Sequence, residues 1–189
     1  KKPFHIPLRV GLLNEDGKEL TLKLSGETST SSAPSAVTDL VLDLVDQEQV
    51  FVFEDIPVQP VPSLLRGFSA PVRLRYDYSR DDLLFLMVCD TDGFNRWNAS
   101  QSLLIDIFAE LQATYNNNGE LKLPDILLRA FRGIIDSSFK NEHSDRAMIT
   151  QLLSLPSEGF LIEQSDVADV GAIHKVREFL TDNLASQLE

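Results

Sequence analysis

Apolar and polar positions alternate through the first part of the chain and recur at helical spacing through the rest. His5 to Leu13 alternates as a strand. Asn14-Glu15-Asp16-Gly17 supplies turn chemistry, with Gly17 free to take positive φ, and Glu19 to Leu24 returns as the hairpin partner. Ser25 to Ser35 is rich in Ser, Thr, Gly and Pro without an apolar anchor, which predicts a surface loop. Val37 to Val45 fits either a strand or a short helix. Gln49 to Phe53 is β-branched and aromatic and reads as a strand. Pro57, Pro60 and Pro62 cannot donate to a ladder, so Val58 to Pro62 belongs at an edge or a crossing between sheets. Ser63 to Phe68 and Val72 to Tyr78 add two strands. In the second, Val72, Leu74, Tyr76 and Tyr78 share one face and Arg73, Arg75 and Asp77 the other. Strands this short and frequent predict an antiparallel β-sandwich, and no strand-helix-strand alternation points to a parallel sheet.

The period changes near Ser79. Ser79-Arg80-Asp81-Asp82 has the form of a capping box, with the serine hydroxyl at the helix start and Asp82 answering three residues on. A short apolar helix follows through Leu83, Leu84, Leu86, Met87 and Val88. A second opens around Asp92 and carries Phe94, Trp97, Leu104, Phe108, Leu111 and Tyr115 at the 3.6 period. Asn116-Asn117-Asn118-Gly119 ends it, through Gly119 or an Asn in the left-handed cap. Pro124 suits the first position of a third helix, which buries Leu127, Leu128, Phe131, Ile134 and Ile135. Ser144 is placed to cap a fourth, with Met148, Ile149, Leu152 and Leu153 inward and Pro156 as its stop. A helical turn over Glu158 to Glu163 precedes a last helix from about Asp169, carrying Val170, Ile173, Val176, Leu180 and Leu184. Spacing is uneven and no fixed repeat is visible, so the pattern predicts an irregular antiparallel helical array. The expected fold is therefore α+β in two segregated parts: an incomplete β-sandwich over residues 1–78, then the first helices of a helical domain over 79–189.

Composition narrows the function classes. The 189 residues are 43% hydrophobic and 24% charged, an ordinary globular balance. A net charge of −12 repels phosphate backbones, and no Lys/Arg stripe offsets it, which argues against nucleic-acid binding and in favour of a solubilising surface. No apolar run reaches the roughly 20 residues of a membrane-spanning helix. Lys1-Lys2-Pro3-Phe4-His5 has no signal-peptide pattern and starts inside strand-like sequence, as expected of a segment of something longer. One cysteine, Cys89, excludes an internal disulfide and fits a reducing, cytoplasmic setting; on an apolar helix face without a neighbouring histidine it reads as a structural thiol.

No pattern for catalysis assembles. The histidines are His5, His143 and His174. Glu142-His143 is followed by Ser144-Asp145-Arg146-Ala147, so no second histidine arrives one turn later as a zinc-protease helix requires. His174 and Glu178 are four apart and share a helix face, but two ligands do not make a zinc site. Asp90-Thr91-Asp92-Gly93 opens like a calcium loop, yet its glycine is too early and position twelve is Gln101; an acidic N-cap explains it better. Asp81-Asp82 has the form of paired carboxylates, but at a helix start such acids favour the dipole. Asn98-Ala99-Ser100 matches a glycosylation sequon inside an expected helix. Phe94, Trp97 and Phe108 read as core, with a ligand groove as the alternative. No nucleophile elbow, phosphate loop or dinucleotide fingerprint occurs. No catalytic, cofactor-binding or metal residue is therefore assigned.

A resemblance adds to this. The order strand, Gln59 to Leu74 (Q-P-V-P-S-L-L-R-G-F-S-A-P-V-R-L), short apolar helix, then Phe94 to Leu104 around Arg96-Trp97 resembles the bacterial aminopeptidase N family of zinc metallopeptidases. Pro3 to Leu8, Glu15 to Lys18 and Phe51-Val52-Phe53 support it, with fainter echoes at Ala130-Phe131-Arg132, Leu152 to Ser157 and Val176-Arg177-Glu178. The resemblance implies four domains in the parent enzyme, of which this chain covers most of the third, a β-sandwich, and the start of the fourth, which is helical. It implies that zinc and the catalytic motifs belong to a second domain absent here, so none of their residues carries over. The parent would remove N-terminal residues from peptides by attack of metal-activated water. This segment, inactive alone, would act as spacer and chamber wall, with the parent's catalytic domain as its partner and peptide as the parent's substrate. A sandwich without its first strands exposes an edge, expected to be covered either by a neighbouring chain, through self-association, or by a loop of its own. The alternative is a free-standing interaction module that docks a partner protein.

Overall fold

The computed structural model describes residues 3–26, 37–140, 145–165 and 167–188. It separates into two compact units. One comprises Lys1–Asp77 with Cys89–Asn95, the other Tyr78–Val88 with Arg96–Glu189. The first holds a small antiparallel sheet and the second most of the helical residues, which is the α+β arrangement that the change of period predicts.

The sheet has strands β1 (Ile6–Leu13), β2 (Asp39–Leu44) and β3 (Val61–Leu64) in the order β2-β1-β3. Register fixes its two faces. Leu8 lies opposite Leu42, and Val10 lies opposite both Leu40 and Leu64, so these leucines and Val10 join Leu12 on one side. Leu20, Leu22, Leu24, Phe51, Phe53 and Ile56 pack onto that side and complete an apolar core. Gly11 lies opposite Asp39 on one neighbour and Ser63 on the other, so the reverse face carries a polar row.

Several predicted strands are shorter or differently used. Residues 19–24 meet β1 only at a Leu13–Glu19 bridge and a Leu20 N–H to Leu12 carbonyl bond, then leave the ladder to cover the sheet. Gln49–Phe53 makes a single bridge, Phe53 to Leu24, flanked by two backbone hydrogen bonds. Alternation puts Leu20, Leu22 and Leu24 on one face, but it does not distinguish a segment paired at an edge from one packed over the top. Val37–Val45 resolves as strand β2. The expected strand from Ser63 to Phe68 ends at Leu64, because Leu65 turns left-handed (φ 59°) into a 3-10 turn, Arg66–Phe68. Val72–Tyr78 is not assigned as a strand, although Val72 and Leu74 are half-buried as the alternation suggests. Most of the loop expected at Ser25–Ser35 lies outside the described residues.

The helices are α1 (Arg80–Cys89), α2 (Gly93–Asn116), α3 (Asp125–Lys140), α4 (Arg146–Leu152), α5 (Glu158–Glu163) and α6 (Val170–Leu188). Their ends follow from local chemistry. The capping box forms: the Asp82 N–H donates to Ser79 Oγ (3.1 Å) and the Ser79 N–H to Asp82 Oδ2 (2.9 Å). At the end of α2 Asn118, not Gly119, takes the left-handed position (φ 56°), and the Gly119 N–H reaches the Thr114 carbonyl. Pro124 lies one residue before α3, with its carbonyl accepting the Leu128 N–H (3.4 Å). Asp145 caps α4; the expected cap, Ser144, lies outside the described residues. Ser157 caps α5 and Asp169 caps α6.

Two adjacent ridges of α2, through Ala99, Leu103, Leu104, Ile107, Phe108 and Leu111, are buried, as are Leu127, Ala130 and Ile134 of α3 and Ile173, Val176 and Leu180 of α6. That is a broad apolar face, as a helix enclosed in an array requires. Ser79→Ala should destabilise the helical unit by about 1 kcal/mol and Ser79→Gly by only a few tenths, measured by denaturant unfolding of the helical circular dichroism.

Candidate functional site

The structure scatters the residues that the sequence singles out. His5 Nε2 lies 2.6 Å from Asp43 Oδ1, and both side chains are more than half exposed. His143 lies outside the described residues. His174 does not pair with Glu178 as helical spacing suggests: its Nδ1 meets Glu158 Oε1 at 2.9 Å, while Glu178 takes Lys175 at 2.8 Å. Asp82 serves the capping box and Asp81 faces Arg129 at 3.3 Å. Asn98 is exposed on α2 and Ser100 is buried. Phe108 is core, Phe94 is half-buried with its ring 5.2 Å from Phe68, and Trp97 lines a cleft. Cys89 is half-buried at the end of α1. Asp92 accepts the Asn95 N–H at 2.9 Å, the N-cap expected of it.

The densest constellation lies on the polar face of the sheet unit and is centred on Arg66, which sequence reasoning passed over. Its side chain is 4% exposed. Nη2 donates to Glu19 Oε1 (2.7 Å) and to Thr91 Oγ1, Nη1 donates to Asp39 Oδ2 (3.3 Å), and Nε has no hydrogen-bond partner. Asp39 is shared with Arg9 Nε at 2.8 Å, and the buried Asp90 Oδ1 stands 3.6 Å from Arg66 Nη2. Asn95 Nδ2 donates to the buried Ser63 Oγ at 2.7 Å.

The guanidinium lies directly over Gly11. A Cβ there would sit 2.6 Å from Nη1, closer than atoms pack. A lone glycine inside the alternating run I-P-L-R-V-G-L-L was the available signal for this close approach.

The electrostatics follow from burial and pairing. For Glu19 burial works against ionisation, yet hydrogen bonds from Thr38, Thr91 and Arg66 prevail and hold its carboxyl down at about 2. For Asp90 burial prevails and raises the carboxyl above its usual range, against the Asp92 N–H, the Ser63 hydroxyl and Arg66. The three acids converge on an arginine already occupying their midst. Among the described residues no group of three or more His, Cys, Asp or Glu side chains is placed to hold a metal ion.

In the helical unit, a cleft of about 230 Å³ is lined by Trp97, Gln101, Gln151, Pro156 and Phe160. An apolar groove of about 320 Å³ runs between Phe131, Leu155, Arg177, Leu184 and Leu188.

Two family models divide the chain. A domain of unknown function (DUF3458) with an Ig-like fold matches residues 1–77, and a domain of unknown function (DUF3458_C) described as ARM repeats matches 80–189. The class is thus an Ig-like module continued by an ARM-repeat helical module. Aminopeptidase N of Escherichia coli (strain K12) is 38% identical over 188 residues, covering 100% of this chain and 20% of that protein. Aminopeptidase N of Haemophilus influenzae is 30% identical over 189 residues, again 100% and 20%, and that of Caulobacter vibrioides 36% over 181 residues, 95% and 18%. The crystal structure of Legionella pneumophila aminopeptidase A in complex with aspartic acid matches with a TM-score of 0.72 at 30% identity, over 97% of this chain and 19% of that one. The chain belongs to the bacterial aminopeptidase N family, in the region defined by the DUF3458 and DUF3458_C pair. It spans about 20% of the length of the curated relatives from E. coli and H. influenzae.

Gly11→Ala should destabilise the sheet unit by about 1–3 kcal/mol through overpacking, whereas in an Arg66→Ala background the same change should be neutral or stabilising, because glycine in a strand is entropically unfavourable. For Glu19 the folded value is depressed, so its stabilisation is present above about 4.5 and is lost as pH falls toward about 2. Glu19→Gln should therefore cost about 1–2 kcal/mol at neutral pH, allowing for solvent screening of a partly exposed group, and should flatten the acid limb in urea titrations. Asp90 runs the other way: its contribution is present below 3.8 and is lost as pH rises through its elevated folded value.

Proposed function

We propose that this chain is a non-catalytic segment of a zinc-dependent aminopeptidase whose complete polypeptide hydrolyses N-terminal residues from peptides in the cytoplasm. The observation that carries this reading is the match to E. coli aminopeptidase N, at 38% identity over 100% of this chain and only 20% of the relative. Residues 1–78 act as a β spacer domain, and 79–189 begin a helical domain that walls the chamber and restricts it to short peptides. The partner of both is the catalytic domain of the same polypeptide.

The described side chains do not fit a zinc site. His5 and His174 each stand with a single exposed carboxylate, and Glu19 and Asp39 are already engaged by the Arg66 guanidinium. Zinc and the reacting groups would belong to another part of the parent, as the resemblance implies. A formal charge of −12 disfavours nucleic acid as a partner, and no helix is long and apolar enough to cross a membrane among the described residues. The end position of β2 in the sheet, with Val41 and Val45 about half exposed, supports self-association of the isolated chain through that edge.

The purified chain should release no chromophore from aminoacyl p-nitroanilides, with or without added zinc, and should retain no stoichiometric zinc by elemental analysis after gel filtration. Zinc-dependent turnover by this chain alone would overturn the assignment.

A further inference from the structure

The segment Cys89–Asn95 falls within the region matched as ARM repeats, yet it packs as part of the sheet unit. Almost every residue in it has a partner there. A Cβ on Gly17 would lie 2.8 Å from the Cys89 Cβ, so the Asn14–Gly17 turn abuts the segment directly. Asp90 and Thr91 meet Arg66, and Thr91 also hydrogen-bonds Glu19. Asp92 Oδ2 accepts the Gly67 N–H at 2.9 Å, the Phe94 ring lies 5.2 Å from that of Phe68, and Asn95 reaches Ser63 of β3 at 2.7 Å. These contacts touch the first turn, the strand β3 and the 3-10 turn that follows it, at separate points along the polar face.

We propose that Cys89–Asn95 is a strap that completes the sheet unit, so that opening of the strap and opening of the sheet are one cooperative event. The Ig-like match, residues 1–77, is then not a whole folding unit: it lacks partners for Ser63 and Arg66 that arrive only after α1. Removing the strap hydrates the buried guanidinium and uncovers the polar row Asp39-Gly11-Ser63, which weakens both neighbours of β1 together.

The test is native-state hydrogen exchange on the full chain carrying Thr91→Val with Asn95→Ala, and on the milder Thr91→Val alone. The expected result is exchange of β1 and β3 amides faster by about tenfold or more in the double variant and less in the single one, in step with strap amides and with α6 little changed. Leu180→Ala serves as the converse, accelerating α6 while leaving β1 protected. Faster exchange confined to residues 89–95, with β1 and β3 as protected as before, would overturn the proposal. So would equal acceleration of α6, since the strap would then support the chain at large.

Discussion

A guanidinium buried against a bare glycine organises the sheet unit. Arg66 leaves water only because Glu19, Asp39 and Thr91 receive its N–H groups, and it fits over β1 only because Gly11 has no side chain. Desolvating such a charge costs several kcal/mol, which close pairing offsets and a single lost partner restores. The backbone yields to the same demand. Leu65 and Phe68 on either side of the Arg66–Gly67 pair hold positive φ (59° and 53°), a conformation costing bulky residues on the order of 1–3 kcal/mol each, maintained where surrounding contacts over-determine it. Gly67 N–H to Asp92 and the Phe68–Phe94 ring pair are those contacts.

The helical unit is built on a different principle. Its described interior is almost wholly apolar, from Met87 and Phe108 to Ile173 and Leu180, and side-chain caps satisfy helix starts at Ser79, Asp145, Ser157 and Asp169. Among the described residues Ser100 is the buried exception, its hydroxyl directed to the Leu152 carbonyl at 3.4 Å. Such a core tolerates volume-conserving change better than a charge knot does, since it depends on filling rather than on matched partners.

The helices were legible in the sequence because their signals are local. Periodicity marked Leu104, Phe108 and Leu111 as buried, and caps such as Ser79–Asp82 need only residues three apart. The strands were legible as extended sequence but not as pairings. Leu20, Leu22 and Leu24 alternate as a ladder strand would, yet they lie across the face of the sheet, and Val72–Tyr78 alternates without being assigned as a strand. The repeat described for the helical family is not visible as a period because helices of 10, 24, 16, 7, 6 and 19 residues share no length. The Arg66 knot was invisible for a related reason: Glu19, Asp39, Arg66 and Asp90 are each unremarkable in their own windows, and only the fold brings four distant charges together. Gly11 alone hinted at it.

The stretch Gln59–Leu74, in which the chain resembles the family, contains Arg66 and the turn that presents it. A double-mutant cycle on Arg66→Met and Glu19→Gln, by urea denaturation at neutral pH, tests the account most directly. It predicts that Arg66→Met alone costs about 3–5 kcal/mol and that the pair couples by about 1.5–3 kcal/mol. A near-neutral Arg66→Met, or additive changes with no coupling, would contradict it.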